Sequence, residues 1–289
     1  MRMSSATTRK VTKLLNGGPI GTLTPTSGRM ARDEAGRVYE YKSMEQKDVE
    51  RRRKYAERDQ RHFSFSDMRN MREITESLSN KYCGYVLLLQ PYIAFKSGLL
   101  VHNGRDGKPL KAADFAAIWN VSKRTANVVL DELEAHSIVF GGTNGTYTLS
   151  DRYHFRKKAG DEVDALIKTF FTTLRRVRLT AADLGILYKL LPYVHLDTNV
   201  ICSDPFAENP EDVRYLNEKH IAGVLDMSAD KTRAAMKRLR KAGVTGEWTK
   251  EYDDRETLTV LNPYVFYRKS GEPDGTLRTL FAAQRFETT

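Results

Sequence analysis

One stretch of the sequence occurs twice, and this repeat limits the folds that the chain can adopt. The copies span residues 110–139 and 216–244. At an offset of 106 residues their apolar positions coincide, in the pairs Phe115–Ile221, Ile118–Val224, Val121–Met227, Leu133–Leu239 and Ile138–Val244. Each copy predicts a short helix, a tight turn and a longer helix that follows Ser122 or Ser228. This is the helix-turn-helix pattern, whose second helix can enter the major groove of DNA.

The repetition extends upstream at an offset of 101 residues. There Gly84 matches Gly185, Leu89 matches Leu190, and the run that begins at Pro91 matches the run that begins at Pro192. A match over so many positions indicates that a whole structural unit is duplicated, which is a stronger signal than a single motif.

A predicted hairpin follows each helix pair. Asn144-Gly145 is a strong hairpin signal between two short apolar runs, and Asp253-Asp254 separates two further strand candidates. Three helices closed by a hairpin form a winged helix. We therefore expect a mainly α fold with small β-wings, in the α+β class.

The repeat also sets the expected domain boundaries. We expect a basic, charged N-terminal extension, a first winged helix, a second winged helix and a C-terminal tail, over residues 1–64, 65–158, 161–268 and 269–289 respectively. Apolar residues recur at helical spacing between Val163 and Leu174, which predicts an amphipathic helix. Thr180 and Asp183 resemble a capping box that opens another helix, and a last helix is expected near residues 277–281.

The N-terminal extension is rich in charged and small residues. Residues 1–30 predict a basic arm, either without specific contacts or in contact with phosphates or the minor groove. Arg37 to Tyr41 predicts a short strand. Glu45 to His62 is almost entirely charged, which indicates a solvated helix or a linker.

The charge balance narrows the class of partner. A formal net charge of +10 and an isoelectric point of about 9.4 favour a polyanion, either nucleic acid or an acidic membrane surface. No run of about 18 apolar residues predicts a membrane-spanning helix, and the first residues lack the apolar core of a signal peptide. Cys83 and Cys202 suggest no disulfide framework. We expect a cytoplasmic protein associated with the nucleoid or with plasmid DNA, and no membrane partner.

The two long helices of the repeat differ in charge. Residues 228–241 carry six positive charges and one negative charge, whereas residues 122–135 carry two positive and three negative. Donors on the outer face of such a helix suit base edges and phosphates. We therefore expect the second copy to supply most of the affinity, and neutralising Lys237 with Arg240 to weaken binding more than neutralising Lys123 with Arg124. The candidate DNA-binding residues are Lys123, Arg124, Thr125, Asn127, Ser228, Lys231, Thr232, Arg233, Lys237, Arg240 and Lys241 of the helices, with Lys250 and Arg255 of the second wing.

The residues give little support to an enzyme. The six histidines are scattered, with no spacing typical of a metal site, and Gly104 to Lys108 lacks the spacing of a phosphate-binding loop. We expect no catalytic activity, no metal and no cofactor. A structural or RNA-associated adaptor is an alternative, which predicts no preference among duplex sequences.

Further residues carry a resemblance to a known family. Pro91-Tyr92-Ile93, the run from Asn262 to Phe266 and the duplicated unit resemble plasmid and phage replication initiator proteins of the winged-helix kind, over residues 70–268. The resemblance implies binding of double-stranded DNA at repeated origin sites, a homodimer formed through the first winged helix, and contacts with host replication proteins. A transcriptional regulator with the same two DNA readers remains the alternative. The long N-terminal extension departs from the family pattern.

Overall fold

We analysed a computed structural model of the chain. It describes residues 22–26, 30–40, 45–47, 49, 61–102, 107–159, 163–207, 212–250 and 253–284, with the backbone alone at residues 250, 253–256 and 284. The chain divides into two compact units, residues 1–58 and residues 59–289.

The first unit contains a small antiparallel sheet of strands β1 (Thr24–Pro25), β2 (Met30–Arg32) and β3 (Val38–Glu40). Strand β3 confirms the short strand predicted at Arg37 to Tyr41. The buried carboxylate of Asp33 holds the turn between β2 and β3, because it accepts hydrogen bonds from the Arg37 amide at 2.9 Å and the Tyr39 hydroxyl at 2.9 Å. Most of the predicted basic arm and residues 50–60 of the charged segment lie outside the described residues.

The second unit begins with the first copy of the repeat. Strand β4 (Phe63–Asp67) is followed by helices α1 (Met71–Ser77), α2 (Asn80–Leu89), α3 (Ala112–Trp119) and α4 (Lys123–Ala135). Strands β5 (Val139–Gly141), β6 (Tyr147–Leu149) and β7 (His154–Phe155) complete the copy. Strands β5 and β6 form the predicted hairpin, and Gly145 between them has a φ of +63° that favours glycine.

The second copy repeats this order. It contains strand β8 (Leu166–Phe170) and helices α5 (Phe171–Leu174), α6 (Ala181–Leu190), α7 (Glu218–Val224) and α8 (Ala229–Lys241). Strands β9 (Thr245–Lys250), β10 (Asp253–Leu261) and β11 (Phe266–Tyr267) follow, and helix α9 (Gly275–Leu280) and a 3-10 turn at Ala282–Gln284 come last among the described residues. The helix pairs and the first hairpin thus lie where the repeat predicts them, and the architecture is α+β with small sheets. The second hairpin differs in one point, because Asp253-Asp254, predicted to separate its strands, opens strand β10, where Asp253 pairs with Lys250.

The two copies share one core rather than forming separate bodies. Their strands join in a four-stranded antiparallel sheet of order β11-β8-β4-β7, in which Phe63 pairs with Phe170 and Asp67 pairs with Leu166. The predicted boundary between residues 64 and 65 therefore falls inside β4. Residues 160–162, at the predicted boundary between the copies, lie outside the described residues.

Helices α2 and α6 cross at their matching glycines. A Cβ atom placed on Gly84 would lie 1.8 Å from the carbonyl oxygen of Ala181, and one on Gly185 would lie 1.5 Å from that of Asn80. Ala181 and Asn80 are themselves matching positions at the offset of 101. Reciprocal contacts of this kind are typical of an approximate twofold axis, so the copies are arranged like the subunits of a symmetric dimer.

The segment before helix α6 corrects one prediction. The helix expected between Val163 and Leu174 is wrong, because strand β8 occupies Leu166–Phe170 and only Phe171–Leu174 is helical. All five residues of β8 are buried, since the strand lies between β4 and β11. A short strand buried on both faces lacks the alternation of apolar and polar residues, and here Lys168 and Thr169 are buried with the apolar residues. The apolar residues on either side of them fall at helical spacing, so periodicity alone indicated a helix.

A buried polar network connects the four-stranded sheet to the crossing helices α2 and α6. Ser64 Oγ donates to Gln90 Oε1 at 2.7 Å, and Ser66 Oγ lies 2.9 Å from His154 Nδ1. His154 Nε2 lies 2.7 Å from the hydroxyl of Tyr188, which belongs to helix α6 of the second copy. Burial lowers the pKa of His154 to about 3 and raises that of Tyr188 well above its usual value. The network therefore holds a neutral histidine between the two copies.

Candidate nucleic-acid interface

The turn that precedes each long helix has the same geometry in both copies. Asn120 and Asp226 are matching residues, and both have left-handed backbone conformations, with φ of +51° and +49°. Asparagine and aspartate tolerate this region better than most residues. Two residues later, Ser122 Oγ accepts a hydrogen bond from the Thr125 amide at 3.1 Å, and Ser228 Oγ accepts one from the Lys231 amide at 3.4 Å. Ser228, a predicted DNA-binding residue, is thus the exposed N-cap of α8.

Four predicted cations lie on the exposed surface of helix α8. They are Lys231, Arg233, Lys237 and Lys241, and we call them the α8 cationic face. The Arg233 side chain is 70% exposed and lies 3.6 Å from Asp230 and 3.8 Å from Glu218. Among the described residues, neither Lys237 nor Lys241 forms an ion pair. Their charge is therefore available to an anionic partner.

The charge of this face is not shared by the two copies. Asn127, Asp131 and Ala135 of helix α4 match Arg233, Lys237 and Lys241 of helix α8, while the inward positions Leu133 and Leu239 are buried in both. Since both helices bury the same stripe although the matching outer positions of α4 carry no positive charge, packing does not require the basic residues of α8. The basic residues add a charged surface to an existing fold.

Two predicted DNA-binding residues of α8 instead serve the fold. Thr232 is fully buried, so its side chain cannot reach a DNA groove in this conformation. It matches Ala126, which is buried at the same place in α4. The side chain of Arg240 is 25% exposed and pairs with Glu218 at 3.0 Å and Glu247 at 2.6 Å, which connects α8 to α7 and β9. The burial of Thr232 contradicts its predicted contact with DNA, and the two ion pairs of Arg240 hold its guanidinium within the fold rather than free for a phosphate.

A further arginine of α8 also has a structural partner. The Arg238 guanidinium donates to both carboxylate oxygens of Asp183, from Nη2 at 2.7 Å and from Nε at 3.0 Å. Asp183 is buried in the first turn of α6, where its amide donates to Thr180 Oγ1 at 3.1 Å. This contact confirms that Thr180 caps α6, and the hydrogen bond to Asp183 raises the pKa of Arg238. Arg238 therefore fixes helix α8 against helix α6.

The first copy presents a different surface at the corresponding place. Lys123, Arg124 and Asn127 are exposed on α4, and the half-buried Thr125 hydroxyl lies 2.9 Å from Ser122 Oγ. Farther along the helix the exposed residues are acidic or apolar, and Val128 is 52% exposed. The cations of α4 are thus confined to its first turn.

The second wing carries the remaining predicted residues. Lys250 ends strand β9, and Arg255 lies in strand β10. Their side chains lie outside the described part of the structure, so their contact with DNA stays a prediction.

The described residues offer little to metal or thiol chemistry. They contain no group of three or more histidine, cysteine or acidic side chains placed to hold a metal ion. Cys83 and Cys202 are free and buried, and burial raises the pKa of each thiol to about 12. Neither cysteine has the lowered pKa of a reactive thiol.

A set of aromatic and basic residues was missed by the sequence reasoning. Arg61, Phe63, Phe65, Phe95, Arg156 and Lys157 line one cavity together with His62. The alternation of Phe63 and Phe65 in a strand was an available signal. The sequence prediction places Phe63 in the N-terminal extension, and the other residues come from distant parts of the sequence.

Comparison with known proteins adds no further identification. None of the helices in the described segments is long and apolar enough to span a membrane. The chain matches no protein-family model, no curated protein and no solved structure.

Proposed function

We propose that the protein is a sequence-specific double-stranded DNA-binding protein built from two winged helices, and that it initiates replication at repeated origin sites. The observation that carries the proposal is the exposed α8 cationic face, on a helix whose fold does not require those charges. Lysine and arginine on such a helix contact phosphates and base edges when the helix lies in the major groove. A location on nucleoid or plasmid DNA follows from this function.

The acidic half of helix α4 supports a division of roles between the copies. Asp131 and Glu134 would repel phosphates, so the second copy supplies most of the affinity. Val128 and Phe140 remain 52% and 49% exposed on the first copy, and apolar exposure beside charged residues suits a protein contact. The first copy therefore provides the surface for a homodimer or for host replication proteins.

The approximate twofold axis predicts the form of the DNA site. When both readers of a twofold module contact DNA, the half-sites have inverted orientation, because the symmetry of the site mirrors that of the protein. Selection of bound duplexes from random-sequence DNA tests this. We expect one enriched motif, accompanied by a weaker inverted half-site if the first copy also reads bases. Enrichment of no motif would contradict sequence-specific binding and favour the adaptor alternative.

Initiation and transcriptional regulation differ in what the selected site does in cells. A plasmid that carries the site as its origin and lacks its own initiator should replicate only when this protein is supplied. A protein that instead alters transcription from a promoter beside the site, without supporting replication, would be a regulator. The control is the full chain with both Lys237→Ala and Lys241→Ala. This double variant should support neither replication from the site nor a change in transcription beside it.

A further inference from the structure

The two faces of strand β4 differ sharply. Ser64 and Ser66 are buried and form hydrogen bonds with Gln90 and His154, whereas Phe63 and Phe65 alternate with them and stay half-buried on the opposite face. Phe155 of β7 pairs with Phe65, and their ring centroids lie 5.5 Å apart. Aromatic side chains therefore line the face of the sheet that does not contact α2 and α6.

The second copy covers the corresponding half of this sheet face. Phe170 and Tyr267 are buried in a cluster with Leu277 and Phe281 from the C-terminal helix region. Lys168 is buried as well, and its ammonium donates to the carbonyl of Lys269 at 2.7 Å. In the first copy, the described residues leave the aromatic face partly open.

The opening is a cavity of about 290 Å³ with aromatic walls and a basic rim. Phe63, Phe65 and Phe95 provide the rings, and the Phe95 side chain is 49% exposed. We call these three residues with Phe155 the phenylalanine surface. The basic residues of the rim are Arg61, His62, Arg156 and Lys157, and the described lining includes no carboxylate.

Two cations of the rim, Arg156 and Lys157, differ in how firmly the protein holds them. Arg156 donates to the carbonyl of Ile93 at 3.3 Å, so its guanidinium is fixed at the cavity. Lys157 pairs with Asp151 at 2.9 Å, but both side chains are exposed. An exposed ion pair of this kind contributes little, so a phosphate can replace the carboxylate.

We propose that the phenylalanine surface binds single-stranded DNA. Proteins that bind unpaired strands combine aromatic rings, on which bases stack, with cations that follow the phosphates. Both components are present here on one face of a sheet. Base pairs in a duplex remain stacked on each other and cannot present their faces to these rings. This surface shares no residue with the α8 cationic face, so the two binding activities are separable.

Fluorescence anisotropy with the full chain and a labelled oligo-dT strand of about 12 nucleotides tests the proposal. Phe95→Ala should weaken strand binding by about tenfold, because it removes one stacking ring. Lys157→Ala should lower the slope of log affinity against log salt by about 0.7. Val163→Ala, at a similarly exposed apolar residue that does not line the cavity, and Lys158→Ala, beside the cavity, are the controls and should bind like wild type.

Three results would overturn the proposal. They are undetectable binding of oligo-dT by the wild-type chain, equal losses for Phe95→Ala and Val163→Ala, and tighter binding of oligo-U than of oligo-dT. A Lys237→Ala variant separates the two sites, since it should weaken duplex binding and leave oligo-dT binding unchanged. An equal loss of oligo-dT binding in that variant would place the strand on α8 and would also contradict the proposal.

Discussion

The crossing of α2 and α6 predicts a large effect from adding one methyl group. Gly185→Ala places a Cβ atom 1.5 Å from the carbonyl oxygen of Asn80. A carbon and a carbonyl oxygen in close contact lie about 3.3 Å apart, so the helices would have to separate by roughly 1.8 Å. The atom that they meet is backbone, which no side-chain rotation can move away.

Separation at this point would open the core that the two copies share. Overpacking a core usually destabilises a protein by about 1–3 kcal/mol, and we expect the upper end or more here because both helices are buried. Equilibrium urea unfolding measures the change in the free energy of unfolding. Gly84→Ala should behave in the same way, because its added Cβ would lie 1.8 Å from the carbonyl oxygen of Ala181.

A third glycine supplies the control. Gly223 lies in helix α7, and a Cβ atom added there would meet nothing within 4 Å. Gly223→Ala should therefore stabilise the protein by about 0.5–1 kcal/mol, through helix propensity and a less flexible unfolded chain. If Gly185→Ala changes the free energy of unfolding by less than 1 kcal/mol, the close packing of the two copies is wrong.

Two further predictions concern charged and titrating groups. Arg238→Ala should lower the free energy of unfolding by about 2 kcal/mol, because the buried Asp183 carboxylate loses its bidentate partner. The same variant should change duplex affinity less than Lys237→Ala does. The reverse order in anisotropy titrations would refute the structural role of Arg238. For His154, the unfolded state binds a proton at pH values between about 6.5 and 3 that the folded state does not bind. Stability is therefore full above pH 6.5 and should fall by about 2 kcal/mol between pH 7 and pH 5 on account of this residue. In the second copy Phe266 holds the equivalent place, because its amide donates to Asn262 as the His154 amide donates to Ser150. Urea unfolding of His154→Phe should lack that part of the pH dependence, and an equal loss in both proteins would contradict the buried neutral histidine.

The repeat made much of the fold predictable. Matching apolar positions predict the helix pair α3–α4 in the first copy and the helix pair α7–α8 in the second, because the same inward apolar stripe recurs at the same spacing. Asn144-Gly145 identifies the first hairpin through its turn chemistry. Strand β8 was mistaken for a helix because its neighbours in the sheet are distant in sequence, and only those neighbours explain why the whole run is buried.

The candidate site was predictable only in part. Lys231, Lys237 and Lys241 lie on the expected surface, since helical spacing separates them from the apolar stripe. Thr232 could have been excluded, because it matches the inward Ala126. Arg240 could not, since its partners Glu218 and Glu247 come from other elements whose placement depends on the tertiary fold.

The central claim is that the α8 cationic face binds the phosphates and bases of duplex DNA. Its most direct test is the dependence of affinity on salt for a selected duplex, measured with the wild-type chain and with Lys237→Ala/Lys241→Ala. Each lost phosphate contact lowers the slope of log affinity against log salt by about 0.9, so the double variant should lose about 1.8, and Lys123→Ala/Arg124→Ala should lose less. An unchanged slope in the α8 variant, or a larger loss in the α4 variant, would contradict the account.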